Sequence, residues 1–251
     1  MTTSIPASEI VRVLGDLTGE ERERAILTLA DSGAFPETLA NFVRVTTSRQ
    51  DAQGRERTIA YDVTFDFFSL GTDADYIRMP MWPVTAQRIL DSWHCILPTP
   101  RMVEQIHKQA TPIVMPTTST ARGSTEAYAS TNARINAAVA KAKVPLGGLI
   151  SGHRKDVVIS KGLAAHPGNV VIYAGLKDDG TWWQTKSNPV SHNNRYVDYS
   201  HGFRFVRWEM WVDGAAHDIR DVLRDAVLAP LLSADGPLSM LAYPLLPSKA
   251  R

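Results

Sequence analysis

The sequence predicts an α+β fold, a mainly antiparallel sheet with helices packed on one face and a small helical element at the N-terminus. Three observations carry this. A period-two alternation runs through residues 58–68, the pair Asp179-Gly180 marks a tight hairpin, and four segments at 84–94, 100–110, 125–143 and 217–229 show helical patterning.

Residues 7–18 and 20–31 read as two short amphipathic helices, with Ile10, Val13, Leu14 and Leu17 on one stripe and Ile26, Leu27 and Leu29 on the other. Thr18 followed by Glu21 matches a capping box, and Gly33 with Pro36 ends the unit. This predicts a helical element over residues 1–40 and one α+β domain over 41–251. Strands are expected at 42–47 and 58–68 around the turn residues Asp51-Ala52-Gln53-Gly54. In the second, Ile59, Tyr61, Val63, Phe65 and Phe67 face a core, which puts Asp62 and Asp66 on the water side as solvated carboxylates.

Another strand is expected at 76–81. Pro83 then stands where a helix begins, and Ala86, Ile89, Leu90 and Trp93 form its stripe. Thr99-Pro100 starts the next helix as N-cap and first residue, with Met102, Val103, Ile106 and Ala110 inward. The stretch 111–125, rich in Thr, Ser and Pro, reads as a loop and the best place for an internal boundary. The helix over 125–143 has few large apolar residues besides Tyr128, Ile135 and Val139, which predicts a surface helix. Antiparallel strands are expected at 156–160, 170–175, 181–184 and 203–212. A last helix over 217–229 and a surface tail over 237–251 complete the chain.

The 251 residues carry 27 Lys+Arg against 26 Asp+Glu, a formal charge of +1, and no basic run, which removes the electrostatic footprint of a nucleic-acid binder. One cysteine excludes an internal disulfide and any multi-cysteine metal site. The N-terminus lacks the basic and apolar regions of a signal peptide, and no run of about 18 apolar residues occurs. No membrane contact is expected, and the cytoplasm is the default location. A G-x-S-x-G elbow, a Walker A loop and a G-x-G-x-x-G after a strand are all missing, which argues against an α/β-hydrolase, a P-loop enzyme and a dinucleotide binder. What remains is a site for a peptide, a glycan or a small molecule.

Four of the seven histidines fall between positions 151 and 201. His166 sits in a plain Ala-His-Pro-Gly turn. The others lie in two polar strings, each ahead of an expected strand: Ser151-Gly152-His153-Arg154-Lys155-Asp156, and Ser191-His192-Asn193-Asn194-Arg195-Tyr196-Val197-Asp198-Tyr199-Ser200-His201-Gly202. Functional side chains tend to be displayed on loops held by rigid strands. If the two strands are neighbours, His153 and His201 meet at one sheet edge. Strand alternation puts Asp198 and Ser200 on one face and Tyr199 and His201 on the other, so a base for Ser200 would come from His153 or His192. Cys95 is the other candidate nucleophile, just ahead of the Thr99-Pro100 helix start, although its apolar setting is that of a buried thiol.

The function this predicts is hydrolysis of an amide, peptide or related acyl bond. His153 and His201 are the expected acid/base groups, and Asp198 orients one of them. Lys155 or N–H groups of the Gly152 loop face the oxyanion, and Cys95, Ser200 or an activated water attacks. Trp182, Trp183, His192, Asn193, Asn194, Arg195 and Tyr199 are the expected substrate-lining residues, through stacking and hydrogen bonds. No cofactor is expected. A zinc ion on His153, His192 and His201, with Asp198, is an alternative that the donor chemistry permits without any supporting spacing. Two other classes stay open: a non-catalytic glycan- or peptide-binding module, and a structural or assembly protein whose N-terminal helix pair meets a partner. A hydrolase needs the two histidine strings to converge, whereas a binding module needs only an exposed aromatic platform.

Overall fold

The computed structural model describes residues 5–15, 17–117, 123–187 and 192–245. Helices α1 (Ala7–Leu14) and α2 (Gly19–Asp31) open the chain. Thr18 holds the N-cap position of α2, but among the described residues its hydroxyl makes no cap bond. Strands β1 (Val43–Gln50) and β2 (Glu56–Val63) form a hairpin whose turn is closed by Asp51, which accepts from the N–H groups of Gln53 and Arg55. A second, short hairpin follows, β3 (Ser69–Gly71) with β4 (Tyr76–Arg78).

Helix α3 (Pro83–Ser92) leads into β5 (Cys95–Ile96), and α4 (Pro100–His107) starts as its sequence predicts, with the Thr99 hydroxyl accepting from Met102 N–H. Then come β6 (Thr111–Pro112), α5 (Thr125–Lys141), β7 (Ile150–Ser151), β8 (Lys155–Val157), α6 (Lys161–Ala165), β9 (Ile172–Leu176) and β10 (Trp182–Gln184). The chain finishes with β11 (His201–Gly202), β12 (Val206–Val212), β13 (Ala215–Asp218) and α7 (Ile219–Arg224).

The fold is α+β. The main sheet has the order β1-β2-β12-β13, with β5 also on β12, all antiparallel, so both halves of the chain build it. The register slips between Val206 and Met210, a bulge that frees residues 207–209 from β2. A second sheet has the order β10-β9-β8-β11, in which β11 is parallel to β8. A continuous apolar core runs from Ala7 and Ile10 through Tyr61, Met102 and Phe205 to Leu223 and Tyr243. No helix among the described residues is long and apolar enough to cross a membrane.

Four expectations need correction. Strand β2 ends at Val63, so its alternation does not reach Asp66, which lies fully buried in an ion pair instead of facing water. Asp62, inside the strand, does point outward and pairs with Arg44 at 2.9 Å. Helix α5 is not a plain surface helix: beside Tyr128 and Ile135 it buries Thr131 and Asn132, a polar inner face that an apolar scan passes over. The final helix is shorter than expected because Asp213-Gly214 turns the chain into β13 first. The tail is partly internal, with Tyr243 buried and its hydroxyl bonded to the backbone of Val171 and Val158. Residues 118–122 of the proposed boundary loop, Ser191 and the tail beyond 245 lie outside the described residues.

Candidate functional site

Strands β8 and β11 run side by side, with Lys155 opposite His201 and Asp156 opposite Gly202. The two polar strings therefore enter neighbouring strands. Their approach requires glycine: a Cβ on Gly202 would stand 2.6–2.8 Å from three ring atoms of Phe67. Phe67 also packs on His153, with ring centroids 4.8 Å apart. Its ring thus lies against both strings, and the two histidines belong to different groups.

His153 belongs to a buried charge cluster. Its Nε2 lies 2.9 Å from Asp66 Oδ1, and Arg78 closes on the same carboxylate with Nε at 3.1 Å and Nη2 at 2.7 Å. Asn132 and Asn136 of α5 accept from the remaining Arg78 nitrogen at 2.9 and 2.7 Å. Burial works to raise the Asp66 carboxyl, but Arg78 and His153 outweigh it and hold it well below the ordinary carboxylate range. Burial pushes His153 down to about 4. A neutral imidazole facing a carboxylate must carry its proton on Nε2, which leaves Nδ1 buried with no partner among the described residues.

His201 gathers the second group. Asp198 Oδ1 is 3.9 Å from its Nε2, and Tyr196 meets it edge-on at 5.7 Å between centroids. His192 stacks on the other side of that group, on Tyr196, at 3.8 Å. Residues 198–200 form a turn and not a strand: Asp198 Oδ1 accepts from Ser200 N–H at 2.8 Å and from its hydroxyl at 2.6 Å, and Tyr196 donates to Oδ2 at 3.0 Å. The expected alternation therefore fails here, and Asp198 reaches His201 instead of turning from it. Burial pushes His201 down to about 4, opposed by Asp198 and assisted by Lys155, His192 and Arg154. Burial also works to raise Asp198, yet His201 and the donors of Ser200 and Tyr196 keep it below the ordinary range. His201 Nδ1 has no partner among the described residues.

The other expected site residues are dispersed. Cys95 is buried in β5, its thiol 3.3 Å from the Trp93 carbonyl, and burial pushes it up to about 12, so no thiolate forms near neutral pH. The Ser200 hydroxyl is committed to Asp198. Tyr199 is buried, and its carbonyl accepts from the Arg154 guanidinium. Asn194 is buried and ties its N–H to the Gly168 carbonyl, while Asn193 is exposed and accepts from Arg195 N–H. Arg195 lies over Trp82 and reaches Glu20 at 3.8 Å, linking the loop to α2. Trp183 is exposed and Trp182 half-buried. The three-histidine zinc set is not assembled, because His153 lies with Asp66; among the described residues no three His, Cys, Asp or Glu side chains converge on a metal position.

One pair had no assigned role in the sequence. His107 Nδ1 lies 2.6 Å from Ser151 Oγ, and its ring meets Trp182 edge-on at 4.5 Å. The serine is enclosed, so the contact anchors β7 to α4. Its one sequence signal is that His107 falls four residues after Val103, on the buried stripe of its helix. Comparison with protein-family models, curated proteins and solved structures finds no match to this chain.

Proposed function

We propose that the protein hydrolyses an amide, peptide or related acyl bond, with His201 as the acid/base group acting on a water molecule. The observation that carries this is the grouping of Asp198, Lys155, His192 and Tyr196 around one neutral imidazole. With burial holding its pKa near 4, His201 is unprotonated at physiological pH, a weaker base than a free imidazole that depends on Asp198 to stabilise the imidazolium. Asp198 stands on its Nε2 side, where a carboxylate orients the ring and stabilises the imidazolium, and Nδ1 is left for water. Water oxygen bonds to the acyl carbon as its proton passes to Nδ1, and Lys155 faces the developing oxyanion. The tetrahedral species then breaks its bond to the leaving amine or alcohol, which takes the proton from His201. Substrate reaches the imidazole by displacing the half-buried pair Tyr196 and His192. Cys95 and Ser200 have no part in this scheme.

The test is turnover of a peptide and ester library by His201→Ala, Asp198→Asn and Cys95→Ser, with thermal melting alongside. Loss of about 10²–10⁴-fold in the first, the size of a general acid–base contribution, with Cys95→Ser unchanged, is the expected pattern. Full activity in His201→Ala, or no turnover of the library by the unmodified protein, overturns it. A second reading, a peptide- or glycan-binding module, is favoured by Trp183, which is 48% exposed with the Lys177 ammonium 5.3 Å from its ring centroid. Binding without turnover, lost in Trp183→Ala, selects that reading.

A further inference from the structure

Away from the histidine strings, the bulge in β12 builds a second site. There Arg207, Trp208 and Glu209 have left the register of β2, and the Trp208 N–H bonds instead to the carbonyl of His94, a residue held at φ +51. Bulges re-aim side chains, and these three line a hollow of about 470 Å³ whose other walls include Phe35, Phe42 and Trp93. A second hollow of about 360 Å³, toward β13, shares Trp208 and Glu209. Both volumes fall in the range of small-molecule sites, and the two hollows adjoin at Trp208 and Glu209, a groove in two parts across the strand.

The chemistry of the lining selects the ligand class. Arg220, held by Asp218 at 2.5 Å, lies 3.6 Å from the Trp208 ring centroid and fixes the indole in place. The Trp208 indole N–H is enclosed and has no acceptor among the described residues, so the indole serves the groove as a fixed wall between the two hollows. Arg207 and Glu209 are both exposed and carry opposite charges, and Asp218 of the second hollow is neutralised by Arg220, so the groove offers donors and acceptors with its charges balanced. Phe35 and Trp93 present apolar ring surface beside them, and the Arg207 guanidinium lies 4.3 Å from the Phe42 ring centroid. A neutral ligand with many hydroxyls and an apolar C–H face, long enough to pass Trp208, matches this set.

We propose that this groove binds a neutral oligosaccharide, with Glu209 accepting from hydroxyls, Arg207 donating to ring or hydroxyl oxygens, and the aromatic wall covering a sugar face. The proposal is independent of the hydrolytic reading, because it uses none of those residues and its readout is binding. The experiment is saturation-transfer NMR and calorimetry of the full chain with cellotetraose, maltotetraose, chitotetraose, xylotetraose and mannotetraose, and with tetragalacturonate as the anionic control. Saturable binding of at least one neutral sugar is expected, weakened about tenfold in Glu209→Gln and in Arg207→Ala, the size of one hydrogen bond to a charged group. Both side chains are exposed, so these variants fold. Three outcomes overturn the proposal: no saturable binding to any of the five, preference for tetragalacturonate, or binding lost in Trp183→Ala and retained in Glu209→Gln and Arg207→Ala.

Discussion

Three arginines, Arg78, Arg154 and Arg204, lie at 0–1% exposure, and a guanidinium does not shed its charge on burial. The chain itself must replace water around each. Arg204 donates to the carbonyls of Thr64 and Ile150 at 2.7 and 2.8 Å, and Arg154 donates to those of Tyr199 and His201. Arg78 grips Asp66 at 2.7 Å, whereas Arg204 reaches the carboxyl of Asp156 only at 3.8 Å. Arg78→Ala should therefore cost about 3–5 kcal/mol in urea unfolding, because it strands a buried carboxylate. The double change Arg78→Leu with Asp66→Asn should cost less than Arg78→Ala alone, and the reverse order of stabilities would show that the pair is not the main term. None of this was visible in the residue pattern. Phe65 and Phe67 continue an alternation that the backbone has already left, and nothing along the chain marks Asn132 as the partner of an arginine 54 positions away.

At the scale of elements, what could be read was what local chemistry decides. The hairpins over Asp51–Gly54 and Asp179-Gly180 and the starts of α3 and α4 stand where turn and capping residues put them. Asp213-Gly214 carried the same signal before β13. The parallel contact of β8 with β11 is different, since two paired positions separated by more than forty residues leave no periodic trace. It brings Lys155 beside His201, and hence decides which of the expected site residues meet. Gly202 is its tightest point. Gly202→Ala drives a methyl into the Phe67 ring and should destabilise the protein by about 1–3 kcal/mol, the ordinary range for overpacking. Phe67→Leu in the same chain should recover part of that loss, whereas strictly additive costs in melting experiments would mean that the two residues do not press on each other.

For the molecule as a whole, these buried groups set a dependence of stability on pH. His153 and His201 stand at about 4 in the folded chain, pushed down by burial, against about 6.5 when unfolded. Burial moves Asp156 the other way, up to about 7 with Arg204 opposing, from an unfolded value of about 3.9. Between pH 4 and 6.5, unfolding lets two histidines take up protons while one aspartic acid releases its own. Burial also pushes His107 down and Glu23 up, contributions of opposite sign, which leaves a net uptake of about one proton, so stability should fall on acidification through this window by about 1.4 kcal/mol per pH unit. Asp156→Asn removes the opposing group. Its acid slope should then approach twice that of the unmodified chain over the same interval, read from urea midpoints taken at half-unit steps of pH. An unchanged slope in that variant would place Asp156 among the ionised carboxylates, and a stability that rises on acidification in the unmodified chain would mean that the two histidines are charged inside the fold. Either result would also bear on catalysis, since the proposed chemistry at His201 requires the neutral imidazole that this pH dependence measures.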